Sequence, residues 1–146
     1  MEKELKLYDP ERAFKKCPYV AVYGTLKKGY WNHHYLKDAI FVGEGITKEN
    51  FDLFDVGYPM AVPNPLGLPL KVEVYKLTSP EQLEKLDFLE GFPYHYKRMI
   101  IDIDLFEGGK RKPIKAWIYY VTHPKGEKVE DIRYVEDVGP YLEWEG

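Results

Sequence analysis

The sequence predicts an α+β domain in which a curved sheet or a small barrel surrounds the core and helices close one side. Three observations lead to this fold class. The 146-residue chain has the length of one ordinary domain. Five short segments are rich in β-branched and aromatic residues, and one segment carries strong helix signals. We therefore expect residues 1–146 to form a single domain.

The predicted strands are short and lie between residues that favour turns. They cover residues 19–23, 51–56, 70–77, 96–106 and 114–122. Between the last two, Gly108 and Gly109 offer a tight turn, which predicts a hairpin and a sheet that is antiparallel in part. The segment 58–69 contains four prolines, a composition typical of a long irregular connection.

The strongest local signal in the chain is a helix over residues 80–90. Ser79 is placed to cap its N-terminus, Pro80 suits the first helical position and Gln82 completes a capping box. Gly91 then provides the usual stop after the last helical residue.

Composition argues against several classes of protein. Acidic residues outnumber basic ones, 24 to 21, and the net charge of -3 does not suit a nucleic-acid-binding surface spread over the whole protein. Cys17 is the single cysteine, which rules out an internal disulfide and a thiolate framework for zinc or iron–sulfur clusters. No apolar segment approaches a membrane span, and the charged first residues do not resemble a secretion signal. We expect a cytoplasmic monomer or homodimer that needs no metal or other cofactor and binds neither nucleic acid nor membrane.

Glu90 is the residue for which helical geometry points most directly to chemistry. At about 100° per residue, Leu83, Leu86 and Leu89 form the buried stripe of the predicted helix, and Glu90 falls within that stripe. Burial and the negative end of the helix dipole both raise the pKa of a carboxylate in this position, which suits a proton shuttle. The structural alternative is that Glu90 turns to solvent or pairs with a buried arginine. Asp87, at the edge of the stripe, is better suited to capping or pairing.

A second candidate site is the segment 23–29, YGTLKKG, which ends the first strand at a glycine. Gly24 permits a close approach to a ligand or unusual backbone angles, and successive N–H groups of such a turn can bind an anion. The segment lacks the spacing of a phosphate-binding loop, so an ordinary turn is the simpler interpretation of this motif alone. Lys27 and Lys28 are able to attract an anionic ligand, but two lysines beside a turn are more often solvated surface charges.

The adjacent His33 and His34 do not form a convincing metal site. Neighbouring residues do not share a face of a helix or a strand, and no other histidine or cysteine stands at ligand spacing. The segment 33–39 instead carries a weak helix pattern with Asn32 as its cap. No serine or cysteine has an evident partner that would make it a nucleophile.

Two segments, taken together, resemble the γ-glutamylcyclotransferase superfamily. One is VAVYGTLKKGYWNH at residues 20–33, which matches the opening V-x-V-Y-G-T-L-[KR]-x-G-x-x-N-H. The other lies within residues 86–98, where LDFLE and YKR match a helix ending in L-D-x-x-E and a following Tyr-x-Arg. The likeness is greatest to the γ-glutamylamine cyclotransferase branch.

The resemblance implies a fold, a reaction and a set of site residues. The fold is a small mixed β-barrel with flanking helices, and the reaction releases 5-oxoproline and a free amine from a γ-glutamylamine, such as γ-glutamyl-ε-lysine, without cofactor or metal. Glu90 corresponds to the catalytic acid/base, which agrees with its position on the helix. The implied substrate-binding residues are Tyr23, Gly24, Thr25 and Leu26, whose backbone holds the γ-glutamyl group, together with Tyr96 and Tyr119.

Departures from the superfamily pattern bear on the shape of the cavity. Val72 stands where the superfamily has glycine in a G-E-V-Y strand, and residues 59–69 and the acidic tail 135–146 have no assigned counterpart. Tyr141 and Trp144 of that tail suit either a cover for the cavity or contact with a neighbouring subunit.

Two other classes of function stay open from the sequence. One is a non-catalytic binding or sensor module for a small anionic γ-glutamyl-type metabolite, since a fold and a cavity do not guarantee chemistry. The other is a structural domain that binds partners through exposed aromatic residues.

Overall fold

The computed structural model describes residues 7–146. This part of the chain contains a five-stranded barrel, two α-helices, a 3₁₀ helix and two smaller sheets. In chain order the elements are α1 (Pro10–Lys16), β1 (Tyr19–Val22), the 3₁₀ helix (His33–Leu36), β2 (Ile40–Thr47), β3 (Phe51–Asp55), β4 (Pro59–Pro63), β5 (Lys71–Lys76), α2 (Pro80–Glu90), β6 (Lys97–Glu107), β7 (Lys110–Tyr120), β8 (Glu127–Lys128), β9 (Arg133–Val135) and β10 (Gly139–Tyr141).

The barrel strands follow the order β1-β5-β2-β6-β7. Neighbours pair antiparallel except β7 and β1, which pair in parallel and close the barrel. The β6–β7 pairing extends over both strands, and positive φ angles at Gly108 and Gly109 form the turn between them. The predicted hairpin and the mixed barrel with flanking helices are both confirmed.

The alternation of side chains along β1 connects the barrel with the helices. Val20 and Val22 pack in a cluster that includes Leu83 and Leu86 of α2, whereas Ala21 packs in a second cluster of strand, loop and tail residues. Successive side chains of a strand point to opposite faces, so β1 contributes to both clusters. Helix α2 therefore contributes to the core cluster on one face of β1.

Six elements are absent from the sequence prediction: α1, β2, β4 and the short strands β8, β9 and β10. In β2, a Cβ at Gly45 would meet the carbonyl oxygen of Asp104 on β6, so glycine is required where the two strands approach each other. Strand β4 begins at Pro59 and ends at Pro63, and it is the edge of the sheet β4-β3-β8, where proline is tolerated. The prediction of an irregular connection over residues 58–69 is therefore wrong for its first half.

Helix α2 has its predicted limits but a different N-terminal cap. The Ser79 side chain makes no capping hydrogen bond, and Gln82 Oε1 accepts one from the Thr78 N–H at 2.8 Å. Gly91 ends the helix with a φ of 66°, as predicted. Neither α2 nor any other helix within residues 7–146 has the length and apolar character needed to cross a bilayer.

Candidate active site

A cavity of about 230 Å³ opens beside β1, at the C-terminal end of α2. Its wall comes from four parts of the chain: β1 with its following turn, the start of β4, the end of α2 with the next residues, and β7. The lining residues are Ala21, Val22, Tyr23, Gly24, Thr25, Leu26, Trp31, Asn32, Tyr58, Pro59, Leu89, Glu90, His95, Tyr96 and Tyr119. All seven residues predicted for the site lie in this wall, and their roles in binding and catalysis stay predictions.

Glu90 is the last residue of α2 and, among the described residues that line the cavity, the one carboxylate. Its side chain is half-buried and has no hydrogen-bond or ion-pair partner among residues 7–146. Burial, and secondarily the negative charge of Asp87, raise the pKa of Glu90 to about 7. Near neutral pH this carboxyl group is therefore able both to accept and to return a proton.

Asp87, one helical turn before Glu90, has a structural role, because both of its carboxylate oxygens accept hydrogen bonds within the protein. Its two carboxylate oxygens accept hydrogen bonds from Arg98 Nε and a terminal guanidinium nitrogen, both at 2.9 Å. Tyr119 donates its hydroxyl to the same carboxylate at 2.6 Å. The guanidinium also lies over the rings of Phe92 and Trp117, at 4.1 and 4.7 Å. The prediction that Asp87 is a pairing residue is confirmed, and the buried arginine pairs with Asp87 and not with Glu90.

The three site tyrosines form walls whose hydroxyl groups are engaged within the protein. Tyr23 donates to the carbonyl oxygen of Tyr119 at 2.8 Å, and Tyr96 donates to that of Pro59 at 2.7 Å. Burial raises the pKa of all three phenols above its ordinary value, so they are neutral at physiological pH. These residues form part of the cavity wall, and their hydroxyl groups connect segments of the wall that are distant in sequence.

In the turn after β1, the carbonyl oxygens and the N–H groups differ in their hydrogen bonding. Its carbonyl oxygens are engaged locally: Gly24 O accepts from the Lys27 N–H at 3.0 Å, Thr25 O accepts from the Asn32 N–H at 3.0 Å, and Leu26 O lies 2.9 Å from His33 Nδ1. By contrast, residues 7–146 provide no acceptor for the N–H groups of Gly24, Thr25 and Leu26. Three N–H donors of residues that line the cavity thus have no acceptor in the described part of the chain.

Gly24 is required by packing. Its φ is not positive, and a Cβ at this position would come within 2.8 Å of Pro59 Cδ. The proposed use of unusual backbone angles at Gly24 is therefore wrong, and the reason for glycine is the close approach of the Pro59 ring. This contact brings the turn against the start of β4.

The turn after β1 contacts the C-terminal tail through Lys27. The prediction that Lys27 is a surface charge is wrong, since Lys27 is buried and its Nζ donates to the carbonyl oxygen of Trp144 at 2.5 Å. Burial lowers the pKa of Lys27. Trp144 is also buried, against the rings of Tyr30 and Trp31, and does not line the cavity. The tail thus packs on the chain's own barrel.

Val72 does not itself line the cavity. It lies in β5 and packs in the strand cluster of the core, which also contains Ala21 and Tyr23 of the cavity wall. An effect of Val72 on the shape of the cavity would therefore act through these neighbours, and it stays a prediction.

The histidine pair serves the local fold. The predicted helix over residues 33–39 is a short 3₁₀ helix, and its predicted cap, Asn32, donates its Nδ2 to Thr25 Oγ1 at 3.0 Å. His33 contacts the turn through Leu26, and His34 is exposed. Across residues 7–146, no three histidine, cysteine, aspartate or glutamate side chains are grouped as a metal site requires.

Several cavity residues were not singled out from the sequence. Trp31 and Asn32 lie inside the opening motif, so the motif itself was the available signal. Tyr58, Pro59 and His95 are distant in sequence from the turn, and no spacing rule predicts that the fold brings them to it.

The chain is similar to proteins of one family. Residues 20–142 match the family described as gamma-glutamyl cyclotransferase, AIG2-like. A protein of Methanocaldococcus jannaschii, provisionally named a gamma-glutamylcyclotransferase, is 39% identical over 117 residues, which cover 80% of this chain and 94% of that protein. The gamma-glutamylaminecyclotransferase of Rattus norvegicus is 33% identical over 115 residues, covering 69% of this chain and 76% of the rat protein. The crystal structure of an AIG2-like protein from Mus musculus has a TM-score of 0.64 and 29% identity, covering 71% of this chain and 76% of the mouse chain.

Proposed function

The chain belongs to the gamma-glutamyl cyclotransferase, AIG2-like family, and from that premise we propose that it is a cyclotransferase that releases 5-oxoproline and a free amine from γ-glutamylamines. The observation that supports this most strongly is the carboxyl group of Glu90 in the same cavity wall as three N–H groups, all of them without a hydrogen-bond partner among residues 7–146. The names of the relatives support gamma-glutamylcyclotransferase-type activity in general. The γ-glutamylamine substrate and the role of Glu90 are our proposals.

Substrate binding in this proposal uses the turn after β1. The γ-glutamyl group carries an α-carboxylate, and its γ-carbonyl oxygen gains negative charge during the reaction. The N–H groups of Gly24, Thr25 and Leu26 are suited to either charge, as an anion site or as an oxyanion hole. Both duties require that the turn carbonyls point elsewhere, as their hydrogen bonds within the turn ensure.

Glu90 moves the proton. The α-ammonium of the substrate, with an ordinary pKa of about 7.7 to 8.0, is largely protonated at neutral pH and gives its proton to the Glu90 carboxylate. The freed amine attacks the γ-carbonyl carbon and forms the C–N bond of the five-membered ring. As the amide C–N bond breaks, the leaving nitrogen takes that proton from Glu90. The ring nitrogen still carries two hydrogens and gives one of them to the Glu90 carboxylate, which passes it to the free amine. The products are therefore 5-oxoproline and an ammonium ion, and Glu90 is again a carboxylate.

The pKa of Glu90 suits both halves of this cycle. A carboxyl group near pKa 7 is a stronger base than an ordinary glutamate and still gives up its proton readily. Because the attacking amine belongs to the substrate itself, the cavity chiefly has to hold the γ-glutamyl chain in a folded conformation, and no covalent enzyme intermediate is needed.

The proposal is tested with purified wild type, Glu90→Gln and Glu84→Gln. Glu84 is an exposed glutamate of the same helix and provides the matched control. Each protein is incubated with γ-glutamyl-ε-lysine and other small γ-glutamyl amides, and 5-oxoproline is measured by mass spectrometry. We expect release by wild type and Glu84→Gln and a loss of at least about 100-fold in Glu90→Gln, as for removal of a general acid/base.

Two outcomes would contradict the proposal. A wild-type rate in Glu90→Gln removes Glu90 from the mechanism. If no 5-oxoproline forms while the folded protein still binds the amides, the non-catalytic binding or sensor function replaces the enzyme.

A further inference from the structure

The open end of the cavity is lined by aromatic side chains from three segments. Trp31 follows the turn after β1, Tyr58 precedes β4 and His95 follows α2. All three are exposed, with 60% of Trp31 accessible, whereas Tyr23 and Tyr96 are buried deeper in the same wall. In the cyclotransferase function proposed above, the amine of a γ-glutamyl substrate held at the turn would extend from the buried part of the cavity towards these rings.

The ring of Trp31 packs against two other aromatic rings. Its ring meets that of Trp144 edge-on, with centroids 6.0 Å apart and an angle of 77°, and meets that of Tyr30 at 6.5 Å and 65°. Trp144 is only 2% exposed, and Lys27 holds its backbone carbonyl. A side chain that is already packed on one side loses little conformational freedom when a ligand covers the other.

The charges of the cavity favour one class of amine. Among residues 7–146, no lysine or arginine lines the cavity, and Glu90 contributes a carboxylate. Aromatic faces carry negative potential, and tryptophan attracts cations most strongly. A carboxylate close to the scissile nitrogen would meet no lysine or arginine among these lining residues, whereas an alkyl chain or an ammonium group finds favourable partners.

On the basis of the cyclotransferase function proposed above, we propose that Trp31 determines specificity for the leaving amine, accepting across its exposed indole face an unbranched alkyl chain that ends in an ammonium group. The chain of the amine would cover the ring surface that is now exposed to solvent. Trp144 is in this scheme a positioning residue that acts through Trp31.

The test compares three substrates that differ only in the amine. These are γ-glutamyl methylamide, which has no chain to reach the rim, γ-glutamyl n-butylamide, and the γ-glutamyl amide of 1,5-diaminopentane. In Trp31→Ala we expect kcat/KM to fall roughly 3- to 30-fold for the diaminopentane amide, less for the butylamide, and within about twofold for the methylamide. Trp31→Phe should retain most of the wild-type preference. The control is Tyr134→Ala, because Tyr134 is 68% exposed on β9 and lies outside the cavity lining.

The outcomes separate this inference from the proposed function. An equal loss for all three amides in Trp31→Ala would overturn the inference, since it indicates damage to the common γ-glutamyl site. Unchanged kcat/KM for the diaminopentane amide would overturn it as well, while the wild-type release of 5-oxoproline still supports the cyclotransferase. If wild type releases no 5-oxoproline even from the methylamide, the proposed function fails and the inference fails with it.

Discussion

Glu90 and Asp87 are acidic residues three positions apart on α2, and the fold gives them opposite environments. Arg98 compensates the charge of Asp87 and Tyr119 donates a hydrogen bond to it, whereas no cation among residues 7–146 pairs with Glu90. Burial and the neighbouring charge of Asp87 raise the pKa of Glu90 to about 7. Ionisation of Glu90 therefore opposes folding, and a neutral side chain of the same shape would avoid that effect.

This difference predicts how the stability of Glu90→Gln depends on pH. In the unfolded chain Glu90 has an ordinary pKa of about 4.3, so between this value and about 7 the folded state holds the proton more tightly. The free energy of unfolding of wild type consequently falls as pH rises through this window, and the loss is complete above it. The difference in free energy of unfolding between Glu90→Gln and wild type should therefore favour the variant by about 2 kcal/mol more at pH 8 than at pH 5.

Urea unfolding of wild type, Glu90→Gln and Glu84→Gln at the two pH values provides the measurement. Glu84 is exposed on the same helix, and its replacement should show little pH-dependent difference from wild type. A gain in Glu90→Gln that is the same at both pH values would mean that Glu90 titrates normally in the folded protein.

At the scale of elements, the site depends on the contact between the turn after β1 and the start of β4. Gly24 leaves room for the Pro59 ring, and the carbonyl oxygen of Pro59 accepts the hydroxyl hydrogen of Tyr96. One proline thus contacts two different parts of the cavity wall. The position of the turn N–H groups therefore depends on β4, an element that makes no contribution to the barrel order.

A double-mutant cycle tests this contact. Gly24→Ala places a Cβ against the Pro59 ring and should lower the free energy of unfolding by about 1 to 3 kcal/mol, with an increase in KM as the turn shifts. Pro59→Ala removes the ring but keeps the carbonyl oxygen that Tyr96 uses. The double variant should therefore regain part of the stability that Gly24→Ala loses. Strictly additive losses would show that another contact requires glycine at position 24.

Elements with local signals were predicted from the sequence, and those fixed by distant contacts were not. Helix α2 and the Gly108–Gly109 hairpin follow from residues within or beside them. The inward position of Glu90 follows from the period of the helix alone. Strand β4 was missed because its prolines resemble those of a loop, and only its place at a sheet edge makes them acceptable.

On the scale of the whole molecule, the C-terminal tail is joined to the turn near the start of the chain. Lys27 Nζ donates to the carbonyl oxygen of Trp144, 117 positions away. No local pattern signals such a contact, which explains why Lys27 was expected at the surface. The tail also pairs in parallel with the chain at Leu70, next to β5, through Leu142. The barrel, the turn and the tail therefore share one packed region behind the cavity.

The two neighbouring lysines offer a matched test of this connection. Lys27→Met keeps an unbranched apolar side chain but leaves the Trp144 carbonyl without its donor, so the free energy of unfolding should fall by about 1 to 3 kcal/mol. Lys28 is exposed and lies over the ring of Phe41, and Lys28→Met should change stability by less than about 1 kcal/mol. Urea unfolding measures both variants.

Equal effects of the two substitutions would mean that net charge, and not the hydrogen bond to the tail, accounts for the loss of stability. A larger loss in Lys27→Met, with a reduced preference for the diaminopentane amide, would indicate that the tail supports the turn and, through Trp144, the exposed ring of Trp31.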